Sequence, residues 1–503
     1  MANRFASKLS FWIDRDWLGG LILVLAVLLA YQPVWSAGFI WDDDTHLTAN
    51  PCIVGPLGLQ EIWTTAAAHY FPLTLTSWWI LHALWGLDTL VYHLVNVLIH
   101  AACAILLWRV LLRLQAPGAW LGAALWALHP VQVESVAWVS EFINEQSCLF
   151  YLLTILFYET GQDAGSRSPK RYALAILCAA LALLSKPSTV MLPVVLILCA
   201  WWRTGHWSWR EMFRLVPFFL LSAVAAGWTI WEQKYHGASG EEWAQSWSQR
   251  IVIASWDVWF YLGKLAWPHP LIFIYPRWDT GALRLVDYLP VASLTGTLLG
   301  LWWWRSKAMR PLFFTLVYFV ISLFPVLGFF NVYFFRYSFV ADHFQYLASM
   351  GPLMLVGAWL IRLADFALPK KPLPQSVLCA GLLLILGVLS WQRAWVYQSE
   401  VTLWTDTLVK NPDCLLARYN LGEILLQKGQ LDEAMTQLQR AVEIDPNIAD
   451  IHNNLGINLA RKGLMNEAVV QFQTALRLNP NCLEAQINLA KAQAIIRQAS
   501  GSK

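Results

Sequence analysis

The sequence predicts an all-α protein, a polytopic bundle of membrane helices followed by a helical-repeat solenoid. Three observations carry this. The 503 residues are 57% hydrophobic and only 13% charged, with 31 tryptophans, which is more apolar than a soluble core accommodates. Apolar runs long enough to cross a bilayer fill the chain up to about Trp395. Beyond that point the composition turns polar and Pro412, Pro446 and Pro480 recur at intervals of 34 residues.

Taken in order, the apolar segments fall near 17–36, 92–112, 118–138, 142–160, 171–187, 188–202, 213–232, 285–304, 311–330, 344–364 and 376–394, which makes eleven expected spans. In the first, "VWSAG" resembles a small-residue cleavage site, but the run is long and Trp-flanked, so a retained anchor is expected. The stretch 248–268, containing "IVIASWDVWFYLGKLAW", is expected to lie on the outer surface as an amphipathic helix, with Asp257 and Lys264 on one face.

Lysine and arginine set the expected orientation, because short cytoplasmic loops collect them. Arg4, Lys8 and Arg15 mark one side, followed by Arg109 and Arg113 and by the clusters at 167–171, 203–214, 305–310 and 362–371. The other side is bare: residues 37–91 and 129–146 contain neither Lys nor Arg. The N-terminus is therefore expected inside and the Asp42, Asp43, Asp44 run outside. A net charge of +3 gives no reason to expect a nucleic-acid partner. The eight cysteines show no CxxC or Cys/His ligand spacing, so neither a zinc site nor a disulfide framework is expected.

The 34-residue period is supported by Leu421/Leu455/Leu489, Gly422/Gly456/Ala490, Gly429/Gly463 and Ala434/Ala468. This is the tetratricopeptide (TPR) pattern, helix-turn-helix units whose small residues let paired helices approach. Residues 396–412 read as the second helix of a degenerate first repeat with Trp404 packed, and 483–498 as a capping helix. The expected division is 1–395 for the membrane domain and 396–503 for the repeats. In this register Leu416, Tyr419, Glu423, Asp450, Asn453 and Ile457 should line the concave groove, a mixture suited to an extended peptide.

Ionisable groups at span ends are functional candidates. On the expected outer side these are Asp42, Asp43 and Asp44, His129 and Glu134, Glu141, Lys186, and Arg336, Asp342 and His343. They come from separate span ends and could build one polar cavity. Solvated carboxylates and a snorkelling Lys186 are the plainer alternative.

The strings "FIWDDDTHLTANP", "YFPLTLTSWWILHALWG", "YHLVNVLIHA", "ALHPVQVESVAWVSE", "LLSKP", "FYLGKLAWPHPLIFIYPRW" and "RYSFVADHFQYLAS", followed by the repeats, resemble bacterial relatives of the transmembrane and tetratricopeptide repeat-containing protein O-mannosyltransferases. These are GT-C class glycosyltransferases. The resemblance covers nearly the whole chain. It implies a GT-C-like membrane domain in a bacterial inner membrane, a polyprenyl-phosphate sugar donor, an outer-face active site and a catalytic carboxylate in the first outer loop. Carried over, the family's Asp-Asp pair falls on Asp42 and Asp43, and its Asn-Pro on Asn50 and Pro51. Two positions depart from it: Phe71 stands where the mannosyltransferases carry arginine, and Ile143 where related bacterial chains often carry lysine.

The residues suit that chemistry. A hydroxyl attacking an anomeric carbon needs a carboxylate to take its proton, and Asp42 or Asp43 is the expected base. A phosphate leaving group needs cations, and Lys186 and Arg336 are the expected donor-phosphate contacts. Three carboxylates can hold a hard cation, but side chains adjacent in a row rarely converge, so no metal site is expected and no cofactor is required beyond the lipid-linked sugar. A protein acceptor recruited by the repeats is the first expectation. A polysaccharide or lipid acceptor, or a non-catalytic scaffold displaying the repeats, are the alternatives.

Overall fold

The structure is a computed structural model that describes residues 16–65, 71–161, 168–206, 208–238, 240, 243–305, 309–369 and 372–501. Arg4, Lys8 and Arg15, and parts of the later basic clusters such as Arg167 and Lys371, lie outside the described residues. No β-strand occurs among those described.

The helices are α1 (Asp16–Ala30), α2 (Leu59–Thr64), α3 (Pro72–Trp85), α4 (Thr89–Arg113), α5 (Ala119–Leu128), α6 (Val133–Ala137), α7 (Phe142–Thr160), α8 (Pro169–Ser185), α9 (Leu192–Thr204), α10 (Trp209–Arg214), α11 (Val216–His236), α12 (Trp247–Ala266), α13 (Leu289–Trp303), α14 (Arg310–Leu323), α15 (Met350–Ala367) and α16 (Pro372–Ala394). Among the described residues, five stretches are long and apolar enough to cross a membrane: Thr89–Arg113, Pro187–Thr204, Leu285–Trp303, Met350–Ala367 and Leu373–Gln398. Asp16–Ala30, Ala119–Leu128 and Arg310–Val326 are apolar but shorter. This is a multi-pass membrane protein, with fewer full-length apolar helices than the eleven spans expected. The shortfall has local causes: α7 carries Asn144, Glu145, Gln146 and Glu159 within its length, and the run 118–138 is not one helix.

That run breaks at His129. A residue before proline is pushed out of the α region, and His129 before Pro130 is extended at φ −75°, ψ 132°, followed by the 3-10 turn Pro130–Gln132 and the short α6. Lys186 before Pro187 is likewise extended, at φ −153°, ψ 117°, between α8 and the turn Pro187–Met191. Both prolines thus convert a span end into irregular backbone that carries a polar side chain. Close helix approach comes from small residues. A Cβ on Gly357 of α15 would lie 2.7 Å from the Gly122 nitrogen of α5, so the two backbones are in contact there.

The expectation for α12 needs correction. It begins with a capping box of Ser246 and Gln249, but Asp257 does not share an exposed polar face with Lys264. Asp257 is fully buried with Val258 and Tyr261 on the inward face, and Lys264 donates to the Pro270 carbonyl. A seven-residue spacing specifies a common side of a helix, and packing decides which side is covered.

Two compact units divide the chain, Met1–Leu271 with Arg277–Gln398, and Ile272–Pro276 with Ser399–Lys503. The expected boundary at 395/396 falls in the 3-10 turn Trp395–Gln398 of the first unit. The second unit holds α17 (Glu400–Lys410), α18 (Leu415–Gln427), α19 (Leu431–Ile444), α20 (Ala449–Arg461), α21 (Met465–Leu478) and α22 (Leu483–Gly501). Trp404 is buried against Phe273, with ring centroids 5.5 Å apart. Within the repeats, a Cβ on Gly456 would sit 2.6 Å from Phe472, and one on Gly422 would sit 2.9 Å from Leu438. These are the small positions of the period, and they are small because the paired helices leave no room.

Candidate active site

After α1 the chain makes the 3-10 turn Gln32–Ser36, leaves it extended at Ala37 and continues without regular structure to Ile40, before Trp41 takes a φ of +44°. A bulky residue rarely adopts positive φ. The two aspartates that follow are divided by environment. Asp43 is fully buried: Oδ1 accepts from the Ser140 amide at 2.7 Å and the Ser140 hydroxyl at 2.6 Å, and Oδ2 accepts from the Ile40 amide at 2.8 Å. Burial pushes its carboxyl up, the three donors pull it back, Asp42 adds to the rise, and it settles at about 7. Asp42 is half-buried, and among the described residues its carboxylate accepts no hydrogen bond. Burial, and then the charge of Glu141, push it up to about 6.

Glu141 belongs to the turn Val139–Glu141 just ahead of α7. Its Oε2 lies 3.4 Å from Lys186 Nζ and accepts from Asn144 Nδ2, while Oε1 is 3.8 Å from His343 Nε2. Lys186 Nζ also donates to Asn144 Oδ1 at 2.7 Å. Burial raises Glu141, but His343 and Lys186 outweigh it and hold the carboxyl below its ordinary range. His343 Nδ1 in turn pairs with Glu134 Oε1, whose Oε2 accepts from Tyr397 at 3.1 Å, and Arg393 donates to that tyrosine at 3.2 Å. Four separate segments thus meet in one network, the α5–α7 connection, the α8–α9 connection, the segment before α15 and the end of α16, and the segment after α1 adjoins it through the Asp43–Ser140 bonds.

Of the other expected residues, Arg336 is exposed, donates to the Tyr333 hydroxyl at 3.1 Å, and lies over Tyr333 and Tyr337 at 5.4 and 5.3 Å. Tyr337 feels the charges of both Arg336 and Asp42, which brings this cation to the rim of the site. Asp342 is buried near Tyr261 and Tyr397. Asp44 and His129 stand apart. Asp44 is exposed and accepts from Thr48 within its own turn. His129 has one ring nitrogen on the Leu265 carbonyl at 3.1 Å and the other accepting from the Val131 amide at 3.4 Å, so it caps the broken helix. Asn50 likewise holds local structure, accepting from the Cys52 amide and donating to the Thr45 carbonyl. Among the described residues, no three His, Cys, Asp or Glu side chains are grouped to hold a metal ion.

Sequence reasoning missed Ser140, Asn144, His46, Tyr397 and Arg393. Ser140 lies 97 residues from its partner Asp43 and carries no local signal. Asn144, a polar residue opening an apolar helix, could have been singled out. His46 stacks on Phe71 with ring centroids 5.4 Å apart and lies within the field of Glu141, so the residue standing in place of arginine contributes an aromatic face.

In the second unit, Tyr419 and Glu423 of α18 face Asp450 of α20, and Asn453 accepts from Asn488 and donates to Glu484 of α22. Tyr419 and Ile457 pack against the apolar core of the repeats, and Leu416 is half-buried. The first helices of successive repeats therefore carry a polar strip with an excess of carboxylates.

Family models for "TPR repeat" and "Tetratricopeptide repeat" match residues 422–463 and 449–482. Over 460 residues the chain is 23% identical to protein O-mannosyl-transferase F38B6.6 of Caenorhabditis elegans, covering 85% of this chain and 63% of that one. It is 24% identical to protein O-mannosyl-transferase TMTC4 of Mus musculus, covering 82% and 65%. This chain is a homologue of the TMTC protein O-mannosyl-transferases. A shorter match, 32% identical over 144 residues, links it to mouse protein O-mannosyl-transferase TMTC2, covering 26% of this chain and 17% of that one. The chain spans less than two thirds of the length of the first two relatives. Among solved structures it is similar to ArnT from Cupriavidus metallidurans bound to undecaprenyl phosphate, with 12% identity, a TM-score of 0.38, and coverage of 92% of this chain and 80% of that one.

Proposed function

We propose that this chain is an integral-membrane glycosyltransferase that moves a hexose, mannose first among the candidates, from a polyprenyl-phosphate donor to a Ser/Thr hydroxyl of a protein acceptor. The carrying observation is the division of labour between the aspartates. Asp43 is spent on Ser140 and Ile40 and so anchors the loop, which leaves the half-exposed Asp42 carboxylate available beside Glu141. The similarity to proteins named protein O-mannosyl-transferases supports the choice of sugar and acceptor.

In this scheme the acceptor oxygen attacks the anomeric carbon as Asp42 Oδ takes its proton. The bond from that carbon to the phosphate oxygen breaks, and its electron pair leaves with the polyprenyl phosphate. A carboxyl near 6 is ionised at neutral pH yet basic enough to accept a proton. Lys186 and Arg336 supply positive charge for the leaving phosphate. No cofactor beyond the lipid-linked sugar enters the scheme.

The site lies at the outer face of a bacterial inner membrane in this proposal, with a cytoplasmic N-terminus and the repeats on the outer side, where they recruit the protein acceptor at raised effective concentration. The test is transfer from polyprenyl-phosphate mannose by purified, reconstituted protein. Asp42→Asn should lower the rate by about 10²-fold or more while membrane insertion is retained. Full activity in that variant removes Asp42 as the base. Transfer to a polysaccharide or lipid but to no protein hydroxyl selects the alternative acceptor, and no transfer at all in the wild type leaves a membrane scaffold that displays repeats.

A further inference from the structure

We infer that the aromatic pair Trp41 and Tyr337 is the subsite that grips the pyranose ring of the lipid-linked donor, so that these residues distinguish a sugar-bearing lipid phosphate from a bare one. The inference rests on the transferase proposal above and adds a sugar-binding element to that site.

Three observations converge. First, Trp41 occupies φ +44°, a region open to glycine and unfavourable for a large side chain. A turn needing only the backbone shape would be served by glycine, and local strain of this kind concentrates at functional sites. Second, the indole is oriented by its surroundings. It stacks on buried Trp138 with centroids 5.4 Å apart and an interplanar angle of 26°, and meets Tyr337 edge-on at 6.1 Å and 71°. Third, Trp41 and Tyr337 are both half-exposed and adjoin the two charged groups a sugar phosphate needs. Trp41 directly precedes Asp42, and Tyr337 lies within the field of Asp42 and beneath the Arg336 guanidinium at 5.3 Å.

That combination is carbohydrate-recognition chemistry. The C–H faces of a pyranose are apolar and pack on aromatic surfaces. The hydroxyls at its edge need acceptors such as a carboxylate. The phosphate at the anomeric position needs a cation. An isoprenoid chain would gain from the aromatic surface as well but would have no use for the adjoining Asp42. The aromatic pair is therefore assigned to the sugar and Arg336 to the phosphate.

The experiment measures equilibrium binding of two probes to the full-length protein in nanodiscs: a short-chain polyprenyl-phosphate hexose, with mannose, glucose and galactose each tried, and the same polyprenyl phosphate without sugar. In the wild type at least one hexose should tighten binding, and Trp41→Ala should lose that sugar-dependent gain, on the order of tenfold, while affinity for the bare lipid phosphate stays unchanged. Trp41→Gly should lose it too, although it relaxes the backbone at φ +44°, and Trp41→Phe should keep part of it. Arg336→Met should weaken both probes alike. The inference is overturned if no hexose improves wild-type binding, if Trp41→Ala and Trp41→Gly retain the gain, or if the Trp41 variants weaken both probes in parallel. Because binding is read without turnover, a protein that shows the sugar-dependent gain but transfers nothing refutes the transferase proposal and leaves the subsite standing.

Discussion

The pH dependence of transfer tests Asp42 as the base most directly. Its carboxyl is pushed up to about 6, first by burial and then by the negative charge of Glu141. A base must be ionised to act, so kcat/KM should be flat above neutrality and fall below it. With a titration near 6, about nine-tenths of the carboxylate is ionised at pH 7 and about one-tenth at pH 5, a loss near tenfold across those two units. The perturbation that identifies the group is Glu141→Gln. It removes the charge that raises Asp42, and it also takes the carboxylate partner from Lys186, leaving that ammonium on Asn144 alone. Both changes favour ionised Asp42, so the acid limb should move to lower pH, while the burial contribution keeps it above the ordinary value of 3.8. The assay is initial rate at subsaturating donor from pH 4.5 to 8.5, checked against unfolding over the same range. A limb that does not move, or that moves upward, refutes the assignment, because no other arrangement of these charges makes Glu141 hold Asp42 high.

Asp43→Asn retains the Ser140 contacts but turns a donor toward the Ile40 amide, so transfer should fall by less than in Asp42→Asn. Its stability effect has a definite sign: the folded protein holds Asp43 at about 7 against an ordinary 3.8, so stability falls as pH rises through that interval, and the variant should flatten the slope in thermal melts. Lys186→Met and Arg336→Met should each weaken binding of the donor phosphate by about 2 kcal/mol, and unchanged affinity would mark them as structural. Gly456→Val, placed against Phe472 at 2.6 Å, should destabilise the repeats by roughly 1–3 kcal/mol in chemical unfolding, with no effect on donor binding. Removing residues 413–503 should abolish glycosylation of full-length protein acceptors and spare transfer to a small synthetic hydroxyl. Loss of both together would assign the repeats a stabilising role.

The features legible in the sequence are those encoded by short-range periodicity. Apolar runs of spanning length marked a membrane bundle, because a bilayer imposes its thickness on the composition of any crossing segment. The 34-residue period located the repeats and their small positions, because each unit packs mainly on its neighbours and the same contact recurs at Gly422 and Gly456. Costly ionisable residues at span ends pointed to Asp42, Asp43, Glu134, Glu141, Lys186, Arg336, Asp342 and His343, and equally to Asp44 and His129, which serve only local structure. The network joining Glu134, Glu141, Lys186 and His343, and the place of Asp42 beside it, came from packing alone. Nothing local distinguishes Asp42 from Asp43: the choice is made by Ser140, which comes within 2.6 Å only when the α5–α7 connection folds against the segment after α1. The inward turn of Asp257, the break at His129 that shortened an expected span, and the placing of Arg336 near Asp42 by way of Tyr337 are decisions of the same kind. Hydrophobic period and residue type are properties of a short window. Which polar group is buried, and against which partner, depends on contacts between residues far apart in the chain, and these exist only once the helices have packed.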